Sequence, residues 1–598
     1  MTRRRIIFGI LAMLTVCSSV TAQDEPGEQP FVDKITIEGN EHISGSAIRN
    51  TMFTKTSHWW NRSRLEMELF KDDLRSITTL YNNRGFLEAV IAGWDTSYVE
   101  KNRVRITINI DEGPQSIVGE ITFKGNQVYS DDRLREELQI ESGKAFSFLR
   151  LSRSTWNIIN AYADGGYLEA QAEPQVQTTD HVIDLAFNIT EGNPIYADSV
   201  LITGNEKTKD FVVKREIRID NGDLLTHSKI IQSQRNLYKT GIFNSVSISP
   251  ARDSVGNNYR NVYVRLSEAE TGEFNFGLGY GSKELFRGTA ELLQSNLRGT
   301  GQRIGLRGKA SFAELRGEVL YTAPFFILWG VRLDNTVYAR RQGEPDFINP
   351  DYVLNRLGIE STIGREIFTY SRISSSLKFE NNFFSEMNIP ATEETDTANT
   401  RIRSINLTYT RDSRKNLFNS SSGSFFSLSG LIAGSIFEGT NSFLRLTGDY
   451  ARYYPARPWL TLAMNLSTGV MYEIGETQSI PIYERFYAGG DQSVRGYSEK
   501  SLSPMRNGTP IGGNFKTVVR FETRFKVYKG LHLALFSDTG NTWRRVELQN
   551  LREMRTGVGL GLRYETPIGV ARVDYGVKVN RQARESVGQI HITLGQAF

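Results

Sequence analysis

The sequence predicts three α+β repeats followed by a transmembrane antiparallel β-barrel, sized for 16 strands. Three observations predict this. An export leader opens the chain, and no anchoring helix follows it. One plan of strands and helices recurs three times before residue 271. From Thr271 to Phe598, short alternating runs replace helical spacing.

The leader is read as residues 1–22. "MTRRR" supplies positive charge, "IIFGILAMLTV" a short apolar run, and Val20-Thr21-Ala22 the small residue that cleavage needs. The run is too short to span a bilayer. Cys17, the only cysteine, lies inside it, so the exported chain is expected to carry no disulfide and no Cys-ligated metal. The formal charge is +4, and Arg3, Arg4 and Arg5 supply three of those positives. No broad basic field remains to argue for nucleic acid.

The first repeat, 31–113, opens "KITIEGNEHIS", passes "LYNNRGFLEA" and closes "VRITINIDEGP". The second, 114–193, opens "EITFKGNQVYS" and closes "VIDLAFNITEGNP". The third, 194–270, opens "SVLITGNEKTK" and closes "NVYVRLSEAE". Fixed spacing of this kind marks repeated modules. Ile35 and Ile37 alternate with Thr36 and Glu38, as a half-buried strand does. Gly39-Asn40, Gly125-Asn126 and Gly204-Asn205 turn the chain. A helix with Leu134, Leu138 and Ile140 on its apolar face follows. A second helix carries Ile158, Ile159 and Tyr162 and stops near Gly166. Two strands close each unit. The free sheet edge either stays solvated or receives an extended chain by strand addition.

In the C-terminal region (271–598), "EFNFGLGY" puts Phe274, Phe276, Leu278 and Tyr280 on one face. "GLHLALFSD" and "VARVDYGVKV" alternate likewise. A soluble sandwich also alternates. Charged residues and glycines opposite the apolar face favour a wet lumen, and Tyr453, Tyr454 and Trp459 are assigned to an interfacial girdle. An exported chain with no membrane helix can span only as a closed barrel. Sixteen strands leave roughly 20 residues for each strand with its connection, enough for tilted strands of about ten. The last run, "GQIHITLGQAF", puts Ile590, Ile592, Leu594 and Phe598 on one face, fit to close the barrel against the first strand.

"GGDQSVRGY" lies in the long connection from Glu473 to Asn514. Its glycines permit a loop folded back into the barrel. Val519, Phe521, Thr523 and Phe525 are phased toward lipid, so Glu522 faces inward, as does Asp538 on the next strand. These two carboxylates are candidates to hold Arg495 bidentately.

The three repeats resemble POTRA domains. The barrel, with "VRGY" at Val494, Arg495, Gly496 and Tyr497, "ETRF" at Glu522 to Phe525, "FSDTG" at Phe536 to Gly540 and the ending "GQAF", resembles the BamA/TamA superfamily of outer-membrane assembly factors and surface antigens. The resemblance covers nearly the whole exported chain. It implies periplasmic repeats, an outer-membrane barrel, insertion or export of unfolded client proteins, and Arg495 paired in the lumen with Glu522 and Asp538. Three repeats suggest the TamA branch, and with it a periplasm-spanning inner-membrane partner. "SEAE" in the third repeat departs from the "EG" of the other two.

A lateral seam between "EFNFGLGY" and "GQIHITLGQAF" would offer its edge to client strands, with Phe276 and Ile592 as a cross-linking pair. No cofactor is expected. The six histidines are scattered, and neither a phosphate-binding loop nor a nucleophile elbow is present, which argues against an enzyme. The alternatives are a two-partner secretion transporter, for which no N-terminal plug helix fits before Phe31, and a passive gated pore, which needs neither the repeats nor an arginine loop.

Overall fold

Alternation of apolar and polar residues makes Phe31–Glu38 a strand with one face on a core, and Val32 and Ile35 are buried there. The structure, a computed structural model, describes residues 29–57, 63–100, 102–251, 258–281, 284–327, 330–344, 352–387, 399–416, 419–434, 437–506, 508–528, 530–547, 552–566 and 569–594. The leader and Phe598 lie outside the described residues. In the first repeat the opening strand is followed by helices Gly45–Thr51 and Met67–Asn82, then strands Val90–Glu100 and Arg103–Asp111. The closing strand is central. It runs parallel to the opening strand, with Ile35 opposite Ile106, and antiparallel to Val90–Glu100.

The second repeat repeats this with Ile117–Lys124, Asp131–Arg135, Phe148–Asp164, Gln171–Thr179 and Val182–Thr190. The third does so with Tyr196–Thr203, Asp210–Lys214, His227–Lys239, Phe243–Pro250 and Tyr259–Glu268. Both sheets again put the closing strand in the middle. Leu134, Ile158 and Tyr162 are fully buried. Ile140 is buried too, but beyond the short helix, which ends at Arg135. Past the helix end, Gln139 N–H donates to Ser154 Oγ on the second helix at 2.8 Å.

The Gly-Asn turns work identically. Gly39, Gly125 and Gly204 have φ of 78, 87 and 87°, and a Cβ at each would strike a backbone carbonyl of the closing strand. The Asn40, Asn126 and Asn205 amides donate to the carbonyls of Ile43, Tyr129 and Thr208 at 2.7, 3.0 and 2.9 Å. A glutamate at the end of each closing strand clamps the turn. Glu112 accepts from His42 N–H (3.0 Å), Glu191 from Val128 N–H (2.8 Å) and Glu268 from Lys207 N–H (3.1 Å). "SEAE" therefore keeps the acid that matters, Glu268.

Contacts divide the chain into two compact units, with the boundary running through the third repeat. In the second unit sixteen antiparallel strands close a barrel. In chain order they are Gly272–Gly281, Leu285–Leu297, Gln302–Ser311, Glu314–Ala323, Val331–Glu344, Tyr352–Phe368, Ser371–Met387, Thr400–Asp412, Gly423–Ala433, Phe443–Arg457, Leu460–Glu473, Phe515–Tyr528, Leu531–Trp543, Arg555–Thr566, Gly569–Lys578 and Gly588–Leu594. Outward positions carry exposed apolar side chains such as Leu292, Leu306, Leu428 and Leu560, while acids and arginines point inward. That is a lipid-facing exterior around a polar lumen. Tyr454 and Trp459 are exposed on the outside as the girdle requires. Tyr453 is not. Tyr450 and Tyr454 take the outward phase of their strand, so Tyr453 faces the lumen, where Arg524 lies 5.5 Å from its ring.

Candidate functional site

Positions 489–497 need backbone conformations that side chains resist. Gly489, Gly490 and Gly496 have φ of 102, 97 and 93°. These turns carry the connection between the eleventh and twelfth barrel strands back against the inner wall, where Val494, Arg495 and Tyr497 are buried. The wall yields space at matching glycines. A Cβ on Gly576 would lie 2.5 Å from Gly496 N, and one on Gly557 would strike the Arg495 carbonyl.

This close approach delivers Arg495, only 3% exposed, to three carboxylates. Its Nε and Nη2 donate to the two oxygens of Asp538 at 2.6 and 2.9 Å, and its backbone N–H adds a third bond at 3.1 Å. Nη1 reaches Glu522 at 2.6 Å and Asp574 at 3.3 Å. The guanidinium carbon lies 3.6 Å from the Phe536 ring centroid. Bidentate, charge-assisted pairing under a π face is among the strongest contacts a side chain makes. Arg563 bridges the same acids, donating to Asp574 at 2.6 Å and Glu522 at 2.8 Å.

Glu522 and Asp538 thus meet Arg495, and Tyr497 completes the contact through Asn580 Oδ1 at 3.1 Å. The sequence reading missed Asp574, Arg563 and a second anchor at Glu484. Arg445 donates to both the carbonyl and the carboxylate of Glu484, at 2.7 and 2.5 Å. Lys500, further along the loop, pairs with Glu344 at 2.6 Å. The loop is therefore fastened to several walls of the lumen.

It also holds the last strand. Thr593 Oγ1 donates to Asp491 at 3.1 Å, Gly496 N–H to His591 Nε2 at 3.1 Å, and Ser498 Oγ to Gln589 Oε1 at 2.9 Å. Residues 589, 591 and 593 are the inward face of Gly588–Leu594, whose outward face carries Ile590 and Ile592. Phase alone could have found His591, since it sits between two lipid-facing isoleucines.

The seam lies at the same strand. Phe274, Phe276 and Leu278 are exposed on the outer face of the first strand, and Tyr280 is half-buried against Phe286. That strand pairs along its whole length with the second strand, from Gly272 opposite Gln294 to Gly281 opposite Leu285. With the last strand it shares only Tyr280 opposite Leu594 and Gly281 opposite Thr593 among the described residues. This register aligns Tyr280 with Leu594. Phe276 and Ile592 do not face each other, because the two strands are staggered.

Residues 30–113, 116–192 and 195–269 match the POTRA surface antigen variable number repeat, and residues 296–598 match the Omp85 superfamily domain. Outer membrane protein assembly factor BamA of Nitratidesulfovibrio vulgaris is 26% identical over 601 residues, covering 96% of this chain and 74% of the relative. The protein of the same name from Neisseria meningitidis serogroup B is 24% identical over 640 residues, covering 96% and 79%. The fold is also that of the crystal structure of BamA from Haemophilus ducreyi lacking POTRA domains 1–3, with a TM-score of 0.69 and 19% identity over 80% of this chain and 99% of that one. Repeats, barrel and matches agree that this chain belongs to the Omp85 superfamily.

Proposed function

We propose that this chain is an outer-membrane protein assembly factor that receives unfolded clients on its periplasmic repeats and admits their strands at the seam between its first and last barrel strands. The coarse reading, assembly of outer-membrane proteins by a barrel in the bacterial outer membrane, follows its relatives. The observation that supports the finer one is the loop's hold on the inward face of the last strand, through Gln589, His591 and Thr593, beside that strand's pairing with the first.

The driving physics is hydrogen bonding. A strand entering lipid with bare N–H and C=O groups loses several kcal/mol per group. The first strand, once parted from the last, would offer such a client the missing partners. The last strand is the movable side. It is retained from within by Asp491, Gly496 and Ser498. Withdrawal of the loop would free it.

On the repeats, the opening strands are covered along their outer edge, as where Val118 exchanges bonds with Lys144 O and Gly143 N. The exposed edge is the second strand of each unit. Pro174 interrupts it in the second repeat and Pro250 ends it in the third, but Val90–Glu100 has no proline. The first repeat is therefore the surface for a client segment or an inner-membrane partner. No nucleotide enters this scheme.

Depletion of the protein in its host, followed by quantification of the outer-membrane proteome, tests the function. Loss of several barrel proteins is expected, and an unchanged proteome would contradict it. Conductance separates the passive-pore alternative. Small native conductance that rises on Arg495→Ala is expected, whereas large native conductance would favour the pore.

A further inference from the structure

Of the three lumen carboxylates around Arg495, two have partners on the wall itself. Arg524 donates to Glu522 Oε1 at 2.7 Å, and Arg563 bonds both Glu522 and Asp574. Asp538 differs. It is 0% exposed, and among the described residues both its oxygens are bonded by Arg495 alone. If the loop withdraws, Asp538 becomes an unpaired buried charge, the least favourable state such a group can have.

A wall cation lies beside it. Arg520, on the twelfth barrel strand, is the registered neighbour of Asp538 on one side and of Asn465 on the other. Its Nε and Nη2 donate to Asn465 Oδ1 at 3.3 and 3.2 Å. Among the described residues it forms no ion pair. Directly opposed side chains on antiparallel strands have Cβ atoms about 5 Å apart. A change of rotamer therefore suffices to move the guanidinium from Asn465 to Asp538.

We propose that Arg520 is a positioning residue that takes over Asp538 when Arg495 leaves, so that the loop can withdraw without stranding a carboxylate in the wall. In the locked state Arg520 waits on a neutral amide, a partner it gives up readily. In the released state the wall supplies an arginine to each of its three acids: Arg524 and Arg563 to Glu522, Arg563 to Asp574, and Arg520 to Asp538. The inference rests on the reading that the loop withdraws during assembly.

The test is a thermodynamic cycle on the full chain in detergent, read as the temperature at which the barrel loses its compact electrophoretic form. R520Q alone should shift it little. R495A with R520Q should lower it by more than the sum of the two single shifts, because Asp538 then has no cation. D538N added to that double variant should restore it, and R520K in place of R520Q should preserve most of it. Where the double variant does not fold, folded yield replaces the midpoint, with the same rescue by D538N expected. Additive shifts, or failure of D538N to rescue, would overturn the proposal. No client is present in this measurement, so its failure leaves the seam reading standing, and a seam that proves inert leaves this coupling standing.

Discussion

Arg495 is held because glycines on both sides of the contact remove every side chain between loop and wall. Gly496 and Gly576 face each other, and a Cβ on Gly576 would sit 2.5 Å from Gly496 N. Gly576→Val should therefore push the loop off the wall at about 1–3 kcal/mol, the usual range for overpacking. The expected result is new protease cleavage within 474–514 while the barrel stays heat-modifiable. An uncut loop would contradict the close approach. In the repeats, Glu112 is the comparable residue. Burial pushes its carboxyl up, but hydrogen bonds from His42 and Tyr81 and from backbone N–H groups outweigh this and hold it below the usual range. Its folded value lies under its unfolded one. Its stabilisation is therefore present above the ordinary carboxylate range near ~4.3 and is lost as pH falls through the folded value. Glu112→Gln should cost on the order of 1–3 kcal/mol at neutral pH and flatten that acid-side loss. Proteolysis of the first repeat against pH reads both.

At the scale of elements, the last strand pairs with both neighbouring strands and is held from within by the loop as well. Q589L combined with T593V removes two of the three holds. A probe cysteine replacing Leu594 should then react faster with a membrane-permeant thiol reagent. Equal reactivity would mean that the loop does not retain the strand. In the first repeat, outward amides of Val90–Glu100 should exchange quickly and gain protection when an unfolded barrel segment is added, while those of Gln171–Thr179, interrupted by Pro174, should not. Much of this was legible in the sequence. Gly-Asn turns and closing glutamates are local signals, and a period of two assigns Glu522 and Asp538 inward without any knowledge of the barrel. The rest was not. Tyr453 sits next to an outward tyrosine, and only the parity set by Tyr450 and Tyr454 turns it inward. Asp574 and Glu484 pair with groups remote in sequence, so their role depends on how deep the loop folds. The stagger between first and last strands is invisible to phase, because a shift by an even number of residues leaves every side chain on its own face.

At the scale of the whole molecule, the barrel is a closed ring of paired strands, and the joint between the first and last is the one proposed to open. The longest described strands, Tyr352–Phe368 and Ser371–Met387, have 17 residues each. The loop fastens Glu484 to one wall and Arg495 to another. The most direct measurement of that central claim is a disulfide across the joint. Tyr280→Cys with Leu594→Cys joins registered neighbours, whose separation suits a disulfide. Reconstituted in vesicles with an unfolded barrel client, the oxidised variant should lose most of its assembly activity and regain it on reduction. Full activity with the disulfide intact would contradict opening at the seam.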